Sequence, residues 1–404
     1  MTCLIIMWKE ETTSKNSSTS SAKSSKRGRN PFSSLFRTKI SEVDFDLFLV
    51  FFLFLGIGLV QVYSTSFIFA TERLNDGLFF FKKQAIFSLL SILCMFGFMN
   101  LPLRYLKKFG ILLWIGATLS VLAVYIPGVG VRVGGALRWI QLPMGIRFEG
   151  SEYLKIFLPV ALASMLVGPW KLFGKWSFVA KVSVLALPMI VLLKHPDFGS
   201  FVLLSAVIFS VLFAFGLAWK YIGAAFLVGL SSFLALIWFV PYRKARLMAF
   251  LDPWSDPNGS SFQVIQSMLG FYSGGITGKG LGQGQLKLFF LPEAHTDFTL
   301  SVFAEEFGYI GLVLIICLYA FVMVKGFRIS LRVQDFYYRV VALGLTCMFS
   351  FQVFINMGVN MGLLPTKGLT LPFLSYGGSS LVAMGILFGL LLNISRFQQG
   401  RNIE

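Results

Sequence analysis

Charge is scarce in this chain. Only 13% of its 404 residues are charged, against roughly 25% in an average soluble protein. A water-soluble domain of this length needs a far more polar surface, so that class is excluded for most of the chain. Histidine is scarcer still: His195 and His295 are the only two. Cysteine is limited to Cys3, Cys94, Cys317 and Cys347, with no C-x-x-C pair. A zinc site or a disulfide framework therefore has no basis in the sequence, and the cysteines read as small buried apolar residues. Acidic residues number 18 against 35 Lys and Arg, a formal net charge of +17.

What is abundant is apolar: 56% of residues are hydrophobic and 45 are phenylalanine, giving a mean hydropathy of +0.76. The solvent for most of this chain is lipid. A membrane helix needs about 20 mainly apolar residues. Ten such runs occur, at roughly 45–66, 83–99, 109–126, 152–168, 179–194, 200–217, 221–240, 298–324, 338–358 and 379–395. The fold class expected is an all-α integral membrane protein of about ten spans, with a large outer loop between spans seven and eight.

The position of the positive charge argues against nucleic acid and sets an orientation. Eight Lys and Arg precede the first span. With the loops on the same side (Arg104, Lys107, Lys108; Lys171, Lys175, Lys181; Lys220; Lys325, Arg328, Arg332, Arg339; Arg396, Arg401) they make 21 of the 35. Basic loops stay in the cytoplasm, so both termini are expected there. The other 14, among them Arg132, Arg138, Arg147, Lys155, Arg243, Lys244, Arg246, Lys279, Lys287 and Lys367, lie on or near the outer side. A basic outer pocket suits a phosphate or pyrophosphate; anionic lipid head groups would suit it as well.

Residues 1–43 form a Ser- and Lys-rich segment expected to be a disordered cytoplasmic tail. Its apolar run Leu4–Trp8 is too short for a signal-peptide core. Residues 44–396 make the transmembrane domain and 397–404 a short cytoplasmic tail. Three outer segments are long enough for chemistry: about 127–151, 241–297 and 359–378. The third is apolar yet broken by Pro365, Pro372, Gly362, Gly368, Gly377 and Gly378. Such backbone at membrane depth must be buried in protein or line a cavity.

Carboxylates carry the candidate chemistry, since histidine is so rare. Asp297 stands where the second outer segment meets the eighth span. Partial desolvation there raises a carboxyl pKa and makes a usable general base; a helix N-cap suits the same residue. Glu305 and Glu306 follow two turns on, roughly 12 Å deeper if the helix continues. At that depth they need a partner or water. Glu152 and Lys155, at i,i+3, share one helical face. Arg243 and Arg246 share one face if their stretch is helical, and the arginine fork suits phosphate; snorkelling to the interface suits them equally. Ser273–Gly284 is glycine-rich but holds no G-x-x-x-x-G-K-[ST]. Those glycines read as tight turns or close backbone approach rather than a nucleotide loop.

Several ordered stretches bear a specific resemblance. They are Tyr242-Arg243-Lys244-Ala245-Arg246-Leu247, Phe250-Leu251-Asp252-Pro253-Trp254-Ser255-Asp256-Pro257, Gly278-Lys279-Gly280-Leu281-Gly282 and Leu291-Pro292-Glu293-Ala294-His295-Thr296-Asp297-Phe298. Ala304-Glu305-Glu306-Phe307-Gly308, Leu364-Pro365-Thr366-Lys367-Gly368 and Ser375-Tyr376-Gly377-Gly378-Ser379-Ser380 complete the set. Over roughly residues 45–395 the chain resembles the SEDS family (shape, elongation, division and sporulation proteins). Ala294 and the Thr366-Lys367 pair resemble its division branch. The resemblance implies a ten-span peptidoglycan glycosyltransferase that polymerises lipid II into β-1,4 glycan and releases undecaprenyl pyrophosphate. It implies a class B penicillin-binding transpeptidase and other division proteins as partners, and the bacterial inner membrane at the septum as location.

By the same resemblance Asp297 is the essential aspartate. Glu152, Lys155, Arg246 and Lys367 are functional positions, and Arg138, Trp139, Arg243, His295, Glu305 and Ser375 join them as candidate substrate-binding residues. A Mg2+ or Mn2+ ion at the pyrophosphate is compatible with the family but not demanded. The first outer segment departs from the family pattern: Gly134-Gly135-Ala136-Leu137-Arg138-Trp139 stands for N-G-A-R-R-W, and Glu149-Gly150-Ser151-Glu152 for Q-P-S-E. A lipid II flippase and a non-catalytic division scaffold are the alternative functions. The clustering of motifs on one face fits a flippase less well than a transferase.

Overall fold

The computed structural model describes residues 43–133, 136–141, 147–167, 175–194, 197–216, 241–257, 259 and 261–396, with 223 and 227 as isolated positions. The expected tails, save Val43, and nearly all of the seventh span at 221–240 lie outside the described residues. The helices are α1 (Phe45–Leu74), α2 (Phe79–Asn100), α3 (Leu103–Ala123), α4 (Gly150–Val167), α5 (Lys175–Lys194) and α6 (Phe198–Ala214). After the gap come α7 (Pro241–Leu251), α8 (Phe262–Gly274), α9 (Thr299–Arg332), α10 (Phe336–Asn360) and α11 (Gly378–Ser395).

Six of these are long and apolar enough to cross a membrane: α1, α2, α3, α9, α10 and α11. Helices α4, α5 and α6 occupy the places read as spans four to six. A helix bonds its own backbone, which is what apolar solvent demands. The bundle has a centre and a rim. The apolar window of α11 is 89% buried and that of α10 78%, against 22% for α2. Rim side chains such as Ile86, Leu89 and Leu93 of α2 face outward, as a lipid-facing helix requires. One end of α1 is held by Asp44, which caps the Leu47 amide at 3.2 Å and meets Lys325 of α9 at 3.1 Å.

The all-α expectation holds for the spans but not for the first outer segment. There β1 (Gly130–Val133), β2 (Ala136–Gln141) and β3 (Arg147–Phe148) form a three-stranded antiparallel sheet in the order β1-β2-β3. Val131 pairs with Trp139 and Ile140 with Phe148. β-branched and aromatic residues in short alternation favour a hairpin. Runs of two to six residues are too brief for a helix to nucleate.

The expectation for the third outer segment holds: its irregular backbone is buried in protein. Leu369, Leu371, Phe373 and Leu374 are each at most 2% exposed. Phe373 sits in the left-handed region at φ 68, its ring stacked on Phe54 at 5.1 Å and edged by Phe51 and Phe388. Gly58 of α1 makes room for it, since a Cβ there would overlap the Phe373 carbonyl. Tyr319 donates to the Pro372 carbonyl and Gln352 to that of Thr370 at 3.0 Å.

Helix α9 is two helices joined at Gly308, whose φ 66 and ψ −167 belong to glycine alone. The break frees backbone groups that the glycine segment takes up. The amides of Lys279 and Gly280 donate to the carbonyls of Glu305 and Glu306, both at 3.0 Å. The amides of Tyr309 and Ile310 donate to Gly275 and Ile276 at 2.9 and 3.1 Å. The glycines thus serve a close approach of backbone to backbone, within the chain itself.

Candidate active site

Asp297 lies just before α9, in a tight turn. Glu293, at φ 57, offers one carbonyl to the amides of Thr296, Asp297 and Phe298 at 3.1–3.3 Å. The Asp297 carbonyl accepts from Asn356 at 3.1 Å and from Asn360 at 2.9 Å. Its carboxyl does not serve as a helix cap: the N-cap of α9 is Phe298, with no side-chain bond. Burial, reinforced by the negative charge of Glu293, pushes the Asp297 carboxyl up to about 7, although Arg138 and Arg246 pull the other way. A general base works best with a pKa near the operating pH.

The cations stand around it on separate elements. Gly368 is the common floor: a Cβ there would lie 3.3 Å from Oδ2 of Asp297 and 3.5 Å from Nη1 of Arg138. Arg138 comes from β2, at a register shift beside Trp139, which pairs with Val131. Arg246, on α7, donates from Nη1 to the Thr366 carbonyl at 2.8 Å. Lys367 holds Nζ 5.0 Å over the Phe198 ring. Burial lowers the Lys367 ammonium to about 8, with Asp197 pulling it back up. The stretch holding Arg243 is helical, as the i,i+3 reading required; its side chain lies outside the described residues.

The start of α4 adds the predicted ion pair. Lys155 Nζ lies 2.7 Å from Glu152 Oε1, with both side chains at most 5% exposed. Beside it Glu149 accepts from the Ser151 hydroxyl at 3.0 Å, and its own amide donates to Ser379 at 3.0 Å. Burial and the charges of Glu152 and Asp197 push the Glu149 carboxyl up to about 7. Asp197 is 3% exposed and caps α6 through the Ser200 amide at 3.1 Å. Its charge is felt by Asp297, Glu149 and Lys367. The first and third outer segments, α6 and α7 therefore bring their charges to the mouth of α9.

Three candidates have other engagements. Glu305 binds Lys279 at 2.7 Å and the amides of Gln285 and Leu286 at 3.0 Å, holding the glycine loop. The ring of His295 packs among Phe69, Phe80 and Tyr376, at 5.3, 5.0 and 6.2 Å; burial lowers its pKa, against the charge of Glu293. Ser375 closes a turn, its hydroxyl accepting from the Leu371 amide at 2.9 Å. Sequence reasoning missed Glu149, Asp197, Asn356, Asn360 and Gly368. Two asparagines at i,i+4 on an apolar helix were a readable signal, because buried amides need partners. Among the described residues no group of three or more His, Cys, Asp or Glu could hold a metal ion.

Comparison with known proteins adds context to this geometry. The model of the FtsW/RodA/SpoVE family, described as cell cycle protein, matches residues 45–400. A probable peptidoglycan glycosyltransferase FtsW of Geobacter metallireducens is 41% identical over 345 residues, covering 85% of this chain and 92% of the relative. Stage V sporulation protein E of Bacillus subtilis is 36% identical over 364 residues, 90% of this chain and 99% of that one. Among solved structures, a chain from "Structural coordination of polymerization and crosslinking by a peptidoglycan synthase complex" superposes with TM-score 0.71 at 31% identity, covering 89% of this chain and 99% of its own. The rod shape determining protein RodA of Thermus thermophilus superposes with TM-score 0.65 at 28% identity, covering 89% and 98%.

Proposed function

This chain belongs to the FtsW/RodA/SpoVE family of cell cycle proteins, and from that premise we propose that it is a peptidoglycan glycosyltransferase of the FtsW type. It is a multi-pass membrane protein with helical spans and a fold like that of RodA. Its transmembrane domain is residues 44–396, between cytoplasmic tails at 1–43 and 397–404. Nine described helices coincide with spans one to six and eight to ten, which supports ten spans with both ends in the cytoplasm. The location is the bacterial inner membrane at the division septum.

The substrate is lipid II, and the acceptor is a second undecaprenyl-linked saccharide. Asp297 takes the proton from an acceptor sugar hydroxyl as that oxygen attacks the anomeric carbon of the donor. The anomeric C–O bond to phosphate breaks, and undecaprenyl pyrophosphate leaves with the bonding pair. A single displacement turns the α-linked donor into a β-1,4 glycan. The second carboxylic acid of a hydrolase is dispensable here, because pyrophosphate leaves without a proton. Arg246, Lys367, Lys155 and Arg243 stabilise its developing charge, with Arg138 near the base. The partner is a class B penicillin-binding transpeptidase within the division assembly, which would cross-link the strands made.

The observation that carries this reading is the enclosed Asp297 carboxyl, facing Gly368 together with Arg138. Its test is glycan polymerisation from labelled lipid II by purified protein, alone and with the transpeptidase. Asp297→Asn should lower the rate at least about 100-fold with a melting temperature no lower than that of wild type. Wild-type synthesis by that variant sinks the base assignment. Translocation of lipid II across vesicles without any polymer by the wild type would support a flippase instead.

A further inference from the structure

We propose that Asn356 is a positioning residue for glycan transfer: it ties the Asp297 turn to the cation-bearing third outer segment and so sets the separation of base and leaving-group cations. The proposal rests on the reading of Asp297 as the base. Asn356 lies on α10, 2% exposed. Its amide nitrogen has two hydrogens, and each finds a carbonyl on a different segment. One goes to Asp297 at 3.1 Å and the other to Leu369 at 2.6 Å. Leu369 stands two residues beyond Lys367 and one beyond Gly368, the floor that Asp297 and Arg138 share. The Lys367 carbonyl in turn accepts from the Leu369 amide at 3.0 Å. One side chain therefore bridges the Asp297 carbonyl and the backbone next to Lys367, at the far end of the segment from the direct bond of the Tyr376 amide to the His295 carbonyl at 2.8 Å.

The environment holds that amide in place. Asn360 donates to the same Asp297 carbonyl at 2.9 Å and to the Asn356 side-chain oxygen at 3.2 Å. The Oδ1 of Asn360 accepts from Ser301 at 3.0 Å, and its carbonyl from Ser267 at 2.6 Å. The two asparagines divide the labour. Asn360 holds Asp297 to α9 and α8, and only Asn356 reaches across to the third segment. Removing Asn356 leaves the Asp297 carbonyl bonded to Asn360 but cuts its tie to Leu369. Gln352, one turn earlier on the same face, binds the Thr370 carbonyl at 3.0 Å. Its recorded bonds all go to Thr370, so it anchors the third segment through a contact separate from the Asp297 turn.

These contrasts define the test. The kcat, KM and pH profile of lipid II polymerisation are measured for wild type, Asn356→Ala, Asn356→Ser, Gln352→Ala and Asp297→Asn, with melting temperatures in detergent. For Asn356→Ala we expect kcat to fall about 10-fold or more while KM stays within about 3-fold. The acid limb of kcat/KM should move to lower pH, because a loosened turn hydrates the Asp297 carboxyl. Asn356→Ser keeps one donor and should fall between; it carries the test if the alanine variant does not fold. Gln352→Ala should lower the melting temperature and leave the acid limb in place. Wild-type kcat and acid limb in the Asn356 variants, with Asp297→Asn inactive, overturn this inference alone. An equal shift of the limb in Gln352→Ala overturns it too, since the helix face would then merely hold the segment. Activity in Asp297→Asn overturns the base reading beneath it.

Discussion

Two carboxylate stations lie on one stretch of chain, about two helical turns apart, and the protein treats them in opposite ways. At the deeper station Glu306 Oε1 accepts from Ser64 at 2.6 Å, Lys287 at 2.7 Å and the Gly282 amide at 3.2 Å, while Glu305 takes Lys279 and two backbone amides. At the shallower station Asp297 has its backbone carbonyl held by two asparagines. Among the described residues no hydrogen bond or ion pair is recorded to its carboxyl; Arg138 and Arg246 act on it only through their charge. Partners quench a carboxylate's basicity and lock its position. A base needs the position locked through the backbone and the carboxyl left to bind protons. The deeper station builds the fold, and the shallower one is kept ready for chemistry.

The sharpest way to break that contrast is at Lys287. Its side chain is 3% exposed and that of Glu306 0%, so Lys287→Met strands a buried charge. Removing one member of a buried pair costs about 3–5 kcal/mol. The loss should appear as a lower melting temperature in detergent, with polymerisation per folded molecule within about 3-fold of wild type. A variant with normal melting but no synthesis would make the deep pair part of the reaction, and the division of roles drawn here would fail.

Next in size is the price of keeping Asp297 basic. Its folded pKa, about 7, lies above its ordinary 3.8. The folded state therefore holds the proton more tightly than the unfolded chain does. Stability falls as pH rises from near 4 to 7, and the loss is complete above that. Asp297→Asn should match wild type in stability near pH 4 and exceed it at pH 8, by on the order of 2 kcal/mol after discounting for partial exposure. Melting curves at the two pH values check this. A variant less stable than wild type at pH 8 would mean that the carboxylate is welcomed rather than tolerated.

The sequence made much of this legible where the signal was local. Spans follow from apolar runs, the Glu152–Lys155 pair from i,i+3 spacing, and the buried third segment from prolines and glycines in apolar company. Asp297 was found because acidic residues are rare at span ends, though position alone left the cap reading open. What stayed hidden depends on distant partners. Asn356 gains meaning only from carbonyls at 297 and 369. Gly308 sits inside an apolar run, and the break shows only when the 275–280 backbone lies against it. Glu149 looked like a lost motif position and Asp197 carried no local signal; their charges matter because four separate elements converge. The sheet at 130–148 was too short for periodicity to separate it from loop.

The smallest test refines the deeper station itself, where the two glutamates differ in how their lysines are placed. The Lys279 side chain is 32% exposed, so its ammonium stays partly in water, while its partner Glu305 is 2% exposed. Glu305 also keeps the Gln285 and Leu286 amides, which remain when the lysine is gone. Lys279→Ala should therefore cost only about 1 kcal/mol, a fraction of the Lys287 effect. The deficit should shrink in high salt, which screens the exposed pair and leaves a buried one nearly untouched. Melting temperatures of both variants at low and high salt make the measurement. Equal losses in the two, insensitive to salt, would mean that the glycine loop depends on Lys279 as heavily as the core depends on Lys287, and that its backbone amides do not by themselves hold Glu305.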